Sequence, residues 1–379
     1  MAREELRSPK GVCIRMFQLP VYAPPDFNAV RFREAHEVTT RPAPADGRLP
    51  EDFYATTIYP EYFHLSSEWR LIEEPRMDCA VVFAAGRFRA VEARRVRRGE
   101  DVVVGRGEDL ANGVFVHHTA FTAETGMEAS QAFAFRTGRS RESSYSRDYD
   151  ELYDILRHDR DNGYIVWVLG PAVAFDHDAR RSMQKLVENG YVHALLAGNA
   201  LATHDLEAGV FHSGLGQHIY TKEIFAGGHY HHLEVINRVR AAGSVAGFVK
   251  GQGLTDGIMA ACVQSKVPFV LAGSIRDDGP LPDVIPDAYA AQDAMRAHTL
   301  RATTVIALAT QLHTIATGNM TPSWKNMDGV LRPVYFYTVD ISEFAVNKLR
   351  DRGSLSVNSI VTNVQDFLVH AARSLGVTP

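Results

Sequence analysis

Residues 192–205, Val-His-Ala-Leu-Leu-Ala-Gly-Asn-Ala-Leu-Ala-Thr-His-Asp, carry an apolar run that gives way at once to small and polar residues. The pattern recurs at 163–170 (GYIVWVLG), 267–274 (VPFVLAGS), 304–310 (TVIALAT) and 334–340 (VYFYTVD). A strand with one wet face alternates apolar and polar residues. These runs do not, so they read as strands covered on both faces. Helix-like stretches lie between and after them at 179–189, 233–241, 257–266, 289–300 and 344–352. Alternating strands and helices predict a parallel, Rossmann-like α/β sandwich.

Upstream the texture changes. Short β-rich runs such as MDCAVVFAAGRF, FRAVEARRVRRG and EDVVVG predict a small, mostly β unit. The aperiodic start, with its Pro- and Gly-rich RPAPADGRLPED, reads as an arm or linker. The polar stretch 122–150 sets a boundary near residue 145. The expected organisation is therefore an arm over 1–50, a β unit over 51–145 and an α/β domain over 146–379.

With 379 residues, 45% hydrophobic and 22% charged, the chain can bury a large core divided over two or three units. A net charge of -5 gives no overall attraction to nucleic acid or to an anionic membrane, so a small-molecule substrate is expected. Cys13, Cys79 and Cys262 lie far apart without CxxC spacing, which argues against a disulfide framework or thiolate metal cage. No membrane-length apolar window occurs, and MAREELRSPKG lacks the apolar core of a secretory signal. A cytoplasmic location is expected.

Ligands of open α/β sheets bind at the carboxyl ends of strands, so the residues there are the first candidates. Asn199, Ala200, Thr203, His204 and Asp205 follow one run, and Gly273, Ser274, Arg276, Asp277, Asp278, Gly279 and Asp283 follow another. Gly170-Pro171, the region 310–319 and Asp340 follow the rest. The loop AGSIRDDGPLPD has two readings. It is a solvated turn with an Arg–Asp pair, or a site in which Arg276 grips a carboxylate and Asp277 or Asp278 an ammonium group. Asp340 is either a helix-capping acid or the acid that binds an NAD ribose and disfavours a 2′-phosphate. Ser342 is a plausible cap for a helix that stops at Gly353.

GQGLTDG at 251–257 approximates a phosphate-cradling loop, with Gly253, Thr255 and Asp256 as candidate contacts. It follows a helix rather than a strand, and plain loop flexibility is the competing reading. His212, His218, His229, His231 and His232 lack regular ligand spacing, so no metal site is expected. His204-Asp205 without a GxSxG elbow, and Ser213 in HSGLG, do not make a hydrolase.

At LAGNALATHDLEAGVF, GGHYHHLEVINRVRAAGS, TDGIMAACVQSKVPFVLAGSIRDDGPLPD, AQDAMRAH, LATQLHTIATGNMTPS, VDISEFAVNKLRDRGS and IVTNVQDFL the chain resembles the archaeal-type ornithine cyclodeaminases. That family is related to the C-terminal part of cyanobacterial bifunctional arginine dihydrolase/ornithine cyclodeaminases. DFYATTIYP and MDCAVVF resemble the conserved region shared with LOR/SDH proteins. The resemblance implies a nucleotide-binding domain similar to that of deoxyhypusine synthase, tightly bound NAD and a homo-oligomer, dimer or tetramer. It also implies conversion of ornithine to proline and ammonia with no net redox change.

On that footing Arg276 is expected to hold the substrate carboxylate, Asp277 or Asp278 its ammonium groups, and His204 or Asp205 the proton. Asn199, Ala200, Gly273, Ser274, Asp340, Thr362 and Asn363 are expected to hold NAD. Where the family carries Asn-His-Pro, this chain has Thr57-Ile58-Tyr59-Pro60, and GMEASQAFAFRTG replaces a Ser-rich stretch. Both changes bear on the substrate pocket. Two other readings stay open: an NAD-dependent enzyme for another amino acid such as lysine, and a non-catalytic NAD-binding regulator.

Overall fold

The computed structural model describes residues 18–108, 110–122, 146–277, 279–342 and 356–377. The first part is built from β1 (Thr39–Pro42), β2 (Glu61–Leu65), β3 (Glu68–Leu71), β4 (Ala80–Ala84), β5 (Arg87–Val91), β6 (Asp101–Val104) and β7 (Val114–Val116). They form two small antiparallel sheets, ordered β1-β6-β4-β5 and β3-β2-β7. Ser66-Ser67 and Ala85-Gly86 all take positive φ, which gives the β2–β3 and β4–β5 hairpins turns whose twist matches the strands. Phe63, Val81, Phe88, Val103 and Val114 close the core beneath them.

Residues 18–50 lie against the β unit. Val21–Tyr22 pairs with Phe121–Thr122, β1 pairs with β6, and Phe32 is buried. Pro42 is tolerated because β1 is an edge strand.

The second part has strands β8 (Ile165–Leu169), β9 (Ala194–Gly198), β10 (Phe269–Ala272), β11 (Val284–Ile285) and β12 (Thr304–Leu308). The hairpin β13 (Trp324–Met327) and β14 (Val330–Pro333) follows, then β15 (Tyr335–Asp340) and β16 (Ser356–Val361). The seven-stranded sheet runs β11-β10-β9-β8-β12-β15-β16, and every neighbouring pair is parallel.

Its helices are α1 (Ser146–Asn162), α2 (His177–Glu188), α3 (Asn199–Phe211), α4 (His229–Ala242) and α5 (Val245–Gln252). They continue with α6 (Ile258–Gln264), α7 (Ala288–Thr299), α8 (Gln311–Met320) and α9 (Val364–Ser374). The helix expected over 344–352 lies outside the described residues.

All five β8 side chains have 0% exposure, as a central parallel strand requires. Ile165, Trp167 and Leu169 face the layer of α1, α2, α3, α6 and α9; Val166 and Val168 face α7 and α8. Burying each large apolar side chain contributes about 1.5–3 kcal/mol before entropy is counted. The β13–β14 hairpin leaves this sandwich and sends Trp324 and Leu331 into the core of the β unit. The boundary is therefore not a single cut near residue 145. Arg332 on β14 also reaches back, binding buried Asp159 of α1 through Nη1 (2.9 Å) and Nη2 (3.1 Å). Burial by itself raises the Asp159 carboxyl, but the Arg332 hydrogen bonds and charge outweigh it and hold it below the ordinary range.

Candidate active site

From β8 the chain steps outward through β9, β10 and β11, then returns to place β12 against the other side of β8. The gap between the carboxyl ends of β8 and β12 is thus the topological switch point, where open α/β sheets bind ligands. Gly170 N donates to Leu308 O at 2.8 Å, and a Cβ at Gly170 would collide with Ala309 O. Ala309 turns out of β12 with φ 49°, a left-handed conformation that costs a residue with a Cβ roughly 1–2 kcal/mol. Backbone strain therefore sits at the crevice itself.

Two helices start here without a side-chain cap. α3 begins after Gly198 and α8 after Thr310, and neither flanking residue accepts from the first turn. By contrast, Asp176 caps α2, Ser244 caps α5, Asp287 caps α7 and Asn363 caps α9. Free first-turn N–H groups at a dipole's positive end favour an anion. Between these two starts lies His313, in the first turn of α8. A Cβ on Gly198 would lie 2.9 Å from its Cε1, so the imidazole packs against the end of β9. Burial pushes its pKa below the usual 6.5, and the charge of Asp277 only partly offsets this. His313 is therefore a neutral base or acid held at the crevice. Sequence reading covered it only as part of the region 310–319.

The loop after β10 wraps the same edge. Gly273 N bonds Ile285 O at 2.8 Å, Ser274 N bonds Asp277 Oδ2 at 2.9 Å, and Arg276 N bonds Ser274 Oγ at 3.2 Å. Arg276 is exposed, and among the described residues its guanidinium has no hydrogen bond or ion pair. Asp278 lies outside the described residues. Asn199 is placed to position this loop, since its Oδ1 accepts from Leu281 N at 3.0 Å and from Thr203 Oγ1 at 3.2 Å. Ala200 follows it in the first turn of α3. Asp283 accepts from Val245 N at 2.7 Å and so starts α5.

Asp340 ends β15, one strand beyond β12. Its Oδ1 accepts from Ser342 N at 2.8 Å, and Thr362 N donates to the Asp340 carbonyl at 3.1 Å. Oδ2 has no protein partner among the described residues. Asn363 caps α9 by accepting from Gln365 N at 2.7 Å. Exposed Ile275, Leu312 and Ile341 rim the crevice with apolar surface.

Two sequence expectations are corrected. Asp205 has 0% exposure and a fully committed carboxylate. Oδ1 accepts from Arg180 Nε (2.7 Å) and Ile258 N (2.9 Å), and Oδ2 from Met259 N (2.8 Å). It joins α3 to the start of α6 and has no oxygen left for substrate. The phosphate role of Gly253, Thr255 and Asp256 fails for the same reason, because the anion at the α6 N-terminus is Asp205 itself. Asp256 pairs with Arg180 Nη1 at 2.5 Å, and Thr255 O accepts from Gln184.

His204 lies one turn further into α3, against Phe175 at 4.9 Å, in the loop after β8. Its Nδ1 meets buried Glu207 at 2.8 Å; Glu207 also accepts from Ser213 Oγ at 2.9 Å, which meets His231 Nδ1 at 2.7 Å. Burial raises Glu207, but hydrogen bonds from His204 and Ser213 outweigh it and hold the carboxyl below its ordinary range. Among the described residues, no three His, Cys, Asp or Glu side chains are grouped as metal ligands. The departing segment 57–60 sits at the opposite, amino edge of the sheet. Ile58 O accepts from Ser323 Oγ, and Ser323 O from Val334 N just before β15. Within one chain it does not line the crevice.

Comparison with known proteins agrees with this fold. A Methanopyrus kandleri protein named ornithine cyclodeaminase is 42% identical over 342 residues, 89% of this chain and 78% of that one. A LOR/SDH protein of Methanococcus maripaludis superposes with a TM-score of 0.81 at 36% identity, covering 90% of this chain and 98% of that one. The ternary complex of AgrE with ornithine and NAD+ matches with a TM-score of 0.56 at 34% identity, covering 90% of this chain and 46% of that one. The family model for the C-terminal Rossmann fold of ArgZ-like arginine dihydrolases matches residues 150–371. The chain belongs to that family and to the group of archaeal proteins named ornithine cyclodeaminase.

Proposed function

We propose that this chain is an NAD-dependent ornithine cyclodeaminase, an ammonia-lyase that converts L-ornithine to L-proline and ammonia. One observation carries the reading: relatives of that name align over most of their length, and the aligned fold puts a strained, uncapped crevice at the sheet's switch point. The crevice suits a dinucleotide. The first-turn amides of α3 and α8, with Ala200, Gly273 and Ser274 beside them, would hold a pyrophosphate, while Asp340 Oδ2 and the Thr362–Asn363 turn would hold a ribose. When bound, NAD would supply a temporary hydride acceptor for the α-carbon and would return that hydride at the end of the reaction, leaving no net redox change.

The remaining work falls to the protein. Arg276 grips the substrate carboxylate, and Asp277 with Asp278 receives the ammonium groups. The side-chain amine must lose a proton before it attacks the α-carbon, and the departing α-nitrogen must gain one. His313, neutral and buried at the crevice, takes and returns that proton; His204 offers a second route through Glu207. The 273–283 loop and the apolar rim exclude water that would otherwise hydrolyse the imine.

Buried, free Cys79 and Cys262 support a reducing, cytoplasmic setting. The exposed side chains of Leu215, Tyr220, Ile224, Tyr230 and Leu233 support a homo-oligomer. The test is to release nucleotide from purified protein by heat, identify it, and assay ornithine for proline and ammonia without added reductant. NAD in the supernatant and equal proline and ammonia are expected. Free NADH accumulating with substrate would instead indicate a dehydrogenase, and neither nucleotide nor response to added NAD would overturn the reading.

A further inference from the structure

The junction between the β unit and α7 carries a concentration of positive charge that the crevice chemistry does not use. Arg296, in the last turn of α7, has 9% exposure, its buried Nη1 has no hydrogen-bond partner, and no ion pair reaches it among the described residues. A buried guanidinium N–H without an acceptor is costly, and native structures rarely keep one without a use. Arg76 approaches from the β unit. Its Nε donates to Asn319 O at 3.1 Å and its Nη1 binds Glu92. Arg94 and Arg95 crowd in from the turn after β5, sharing Glu92 and reaching Asp293 of α7.

Three of the four guanidinium groups, those of Arg76, Arg94 and Arg95, thus share two carboxylates, Glu92 and Asp293, while Arg296 pairs with neither and has Glu74 only further off. Burial lowers the pKa of both Arg76 and Arg296, and neighbouring arginines lower them further: Arg296, Arg94 and Arg95 act on Arg76, and Arg95 acts on Arg296. Buried Cys79 lies within electrostatic reach of both.

We propose that this junction binds a small oxyanion, a phosphate or carboxylate group, with Arg296 as the bidentate donor and Arg76 as its partner. An oxyanion there supplies the missing acceptor and screens the repulsion between the arginines. The site is separate from the crevice, because α7 and α8 both run from the carboxyl edge toward this junction. α8 carries His313 in its first turn and presents Asn319 O to Arg76 from its last, so an anion bound here sits on the far end of the helix that holds the crevice histidine. The competing account is purely structural: Arg296 at a helix C-terminus answers the dipole of α7.

The experiment uses the full chain at saturating NAD, which fills the phosphate cradle of the crevice, and the Arg296 variants, which leave Arg276 in place, separate binding at the junction from binding of the probe at the substrate subsite. Melting temperature is followed in inorganic phosphate and in succinate, each against sodium chloride of equal ionic strength. A rise of about 2–4 °C beyond chloride is expected at several times the dissociation constant, and the more effective anion tells phosphate from carboxylate. Arg296→Leu should abolish that rise, and Arg296→Lys, which keeps charge but loses the fork, should reduce it. An equal rise in Arg296→Leu, or no rise over chloride in the unaltered protein, overturns the proposal. Should Arg296→Leu fail to fold, Arg76→Met and calorimetric titration of the unaltered protein with phosphate decide the matter, with no saturable heat counting against it.

Discussion

Replacing Asp205 separates a structural carboxylate from a catalytic one. Its two oxygens accept three hydrogen bonds, from Arg180 Nε, Ile258 N and Met259 N, at 2.7–2.9 Å. Asp205→Ala leaves Arg180, itself 1% exposed, with only Asp256 as a counter-charge, and leaves the first amides of α6 buried without an acceptor. Breaking a buried pair in this way costs about 3–5 kcal/mol. At roughly 2–4 °C per kcal/mol for a domain of this size, the melting temperature should fall by about 6–20 °C. Asp205→Asn keeps one acceptor and turns an amide N–H toward another donor, for a loss of about 1–3 kcal/mol. Thermal melts and urea titrations, run with ornithine turnover at a temperature where each variant is still folded, measure both quantities. Folded Asp205→Asn should retain most of its turnover. Unaltered melting with turnover abolished would return Asp205 to the proton path and refute the reasoning.

Three further outcomes follow from the same geometry. His313→Gln should lower kcat by about 100- to 10,000-fold, the range for losing a general acid or base, while NAD affinity stays within about two-fold; kinetics and nucleotide titration check this. In the unaltered protein the acid limb of kcat/KM should lie below pH 6.5, since burial depresses the His313 pKa. A depressed folded pKa also means that the unfolded chain binds the proton more readily, so this residue's contribution to stability is lost as pH falls below 6.5. Asp340→Ala should weaken NAD by about 10- to 100-fold, the loss of one hydrogen-bonded charge, and narrow the preference over NADP; unchanged affinity would reject its ribose role. Glu61 has the opposite sign. Burial raises its carboxyl to about 7, against hydrogen bonds from Thr57 and Tyr54 that lower it. Stability tied to its proton is therefore full below pH 4.5 and lost as pH rises through 7. Glu61→Gln should be more stable than the unaltered protein at pH 8, by about 2–4 kcal/mol in urea titrations, and lose that advantage near pH 5.

The five central strands were legible because a parallel strand buried on both faces leaves an unbroken apolar run. The edge strand β16 was not, since Ser356, Asn358 and Ser359 interrupt it. α3 was read as a string of candidate residues rather than as a helix. It is buried on most sides, at Leu201, Ala202, Asp205, Leu206 and Glu207 among others, so it lacks the single apolar stripe by which helices are recognised. Asp328-Gly329, with φ 52° and 92°, did carry a local hairpin signal for β13–β14. At the site, Thr362 came from the family resemblance, whereas the strand-end rule pointed to Asn199, Ser274 and Asp340 and to the region of His313, all of which lie at the carboxyl edge of the sheet. It misjudged Asp205 because the partners that commit it, Arg180 and the 256–259 turn, lie 25 and more than 50 residues away in sequence. No local pattern reports a distant counter-charge.

The same distinction explains how the proposed dinucleotide site would form without a glycine fingerprint. A phosphate needs free N–H groups at a helix start and a strand-to-helix turn tight enough to present them. Glycine is the usual means because it takes positive φ without strain. Here Ala309 takes φ 49° after β12, and the strain is sustained because Gly170 lets the β8 backbone close on its carbonyl. The glycine that permits the turn is thus on the neighbouring strand, 139 residues earlier, where no motif search along β12 would meet it. GQGLTDG makes the converse case. It has the glycines and a following helix, yet α6 spends its free amides on Asp205. A motif is therefore a claim about an unoccupied helix start, and it fails wherever the fold brings its own anion. Ala309→Gly tests the argument directly: relieving the left-handed turn should raise stability by roughly 1 kcal/mol, read from thermal melts. A loss of stability would show that Ala309 is not strained and that the crevice owes its shape to something else.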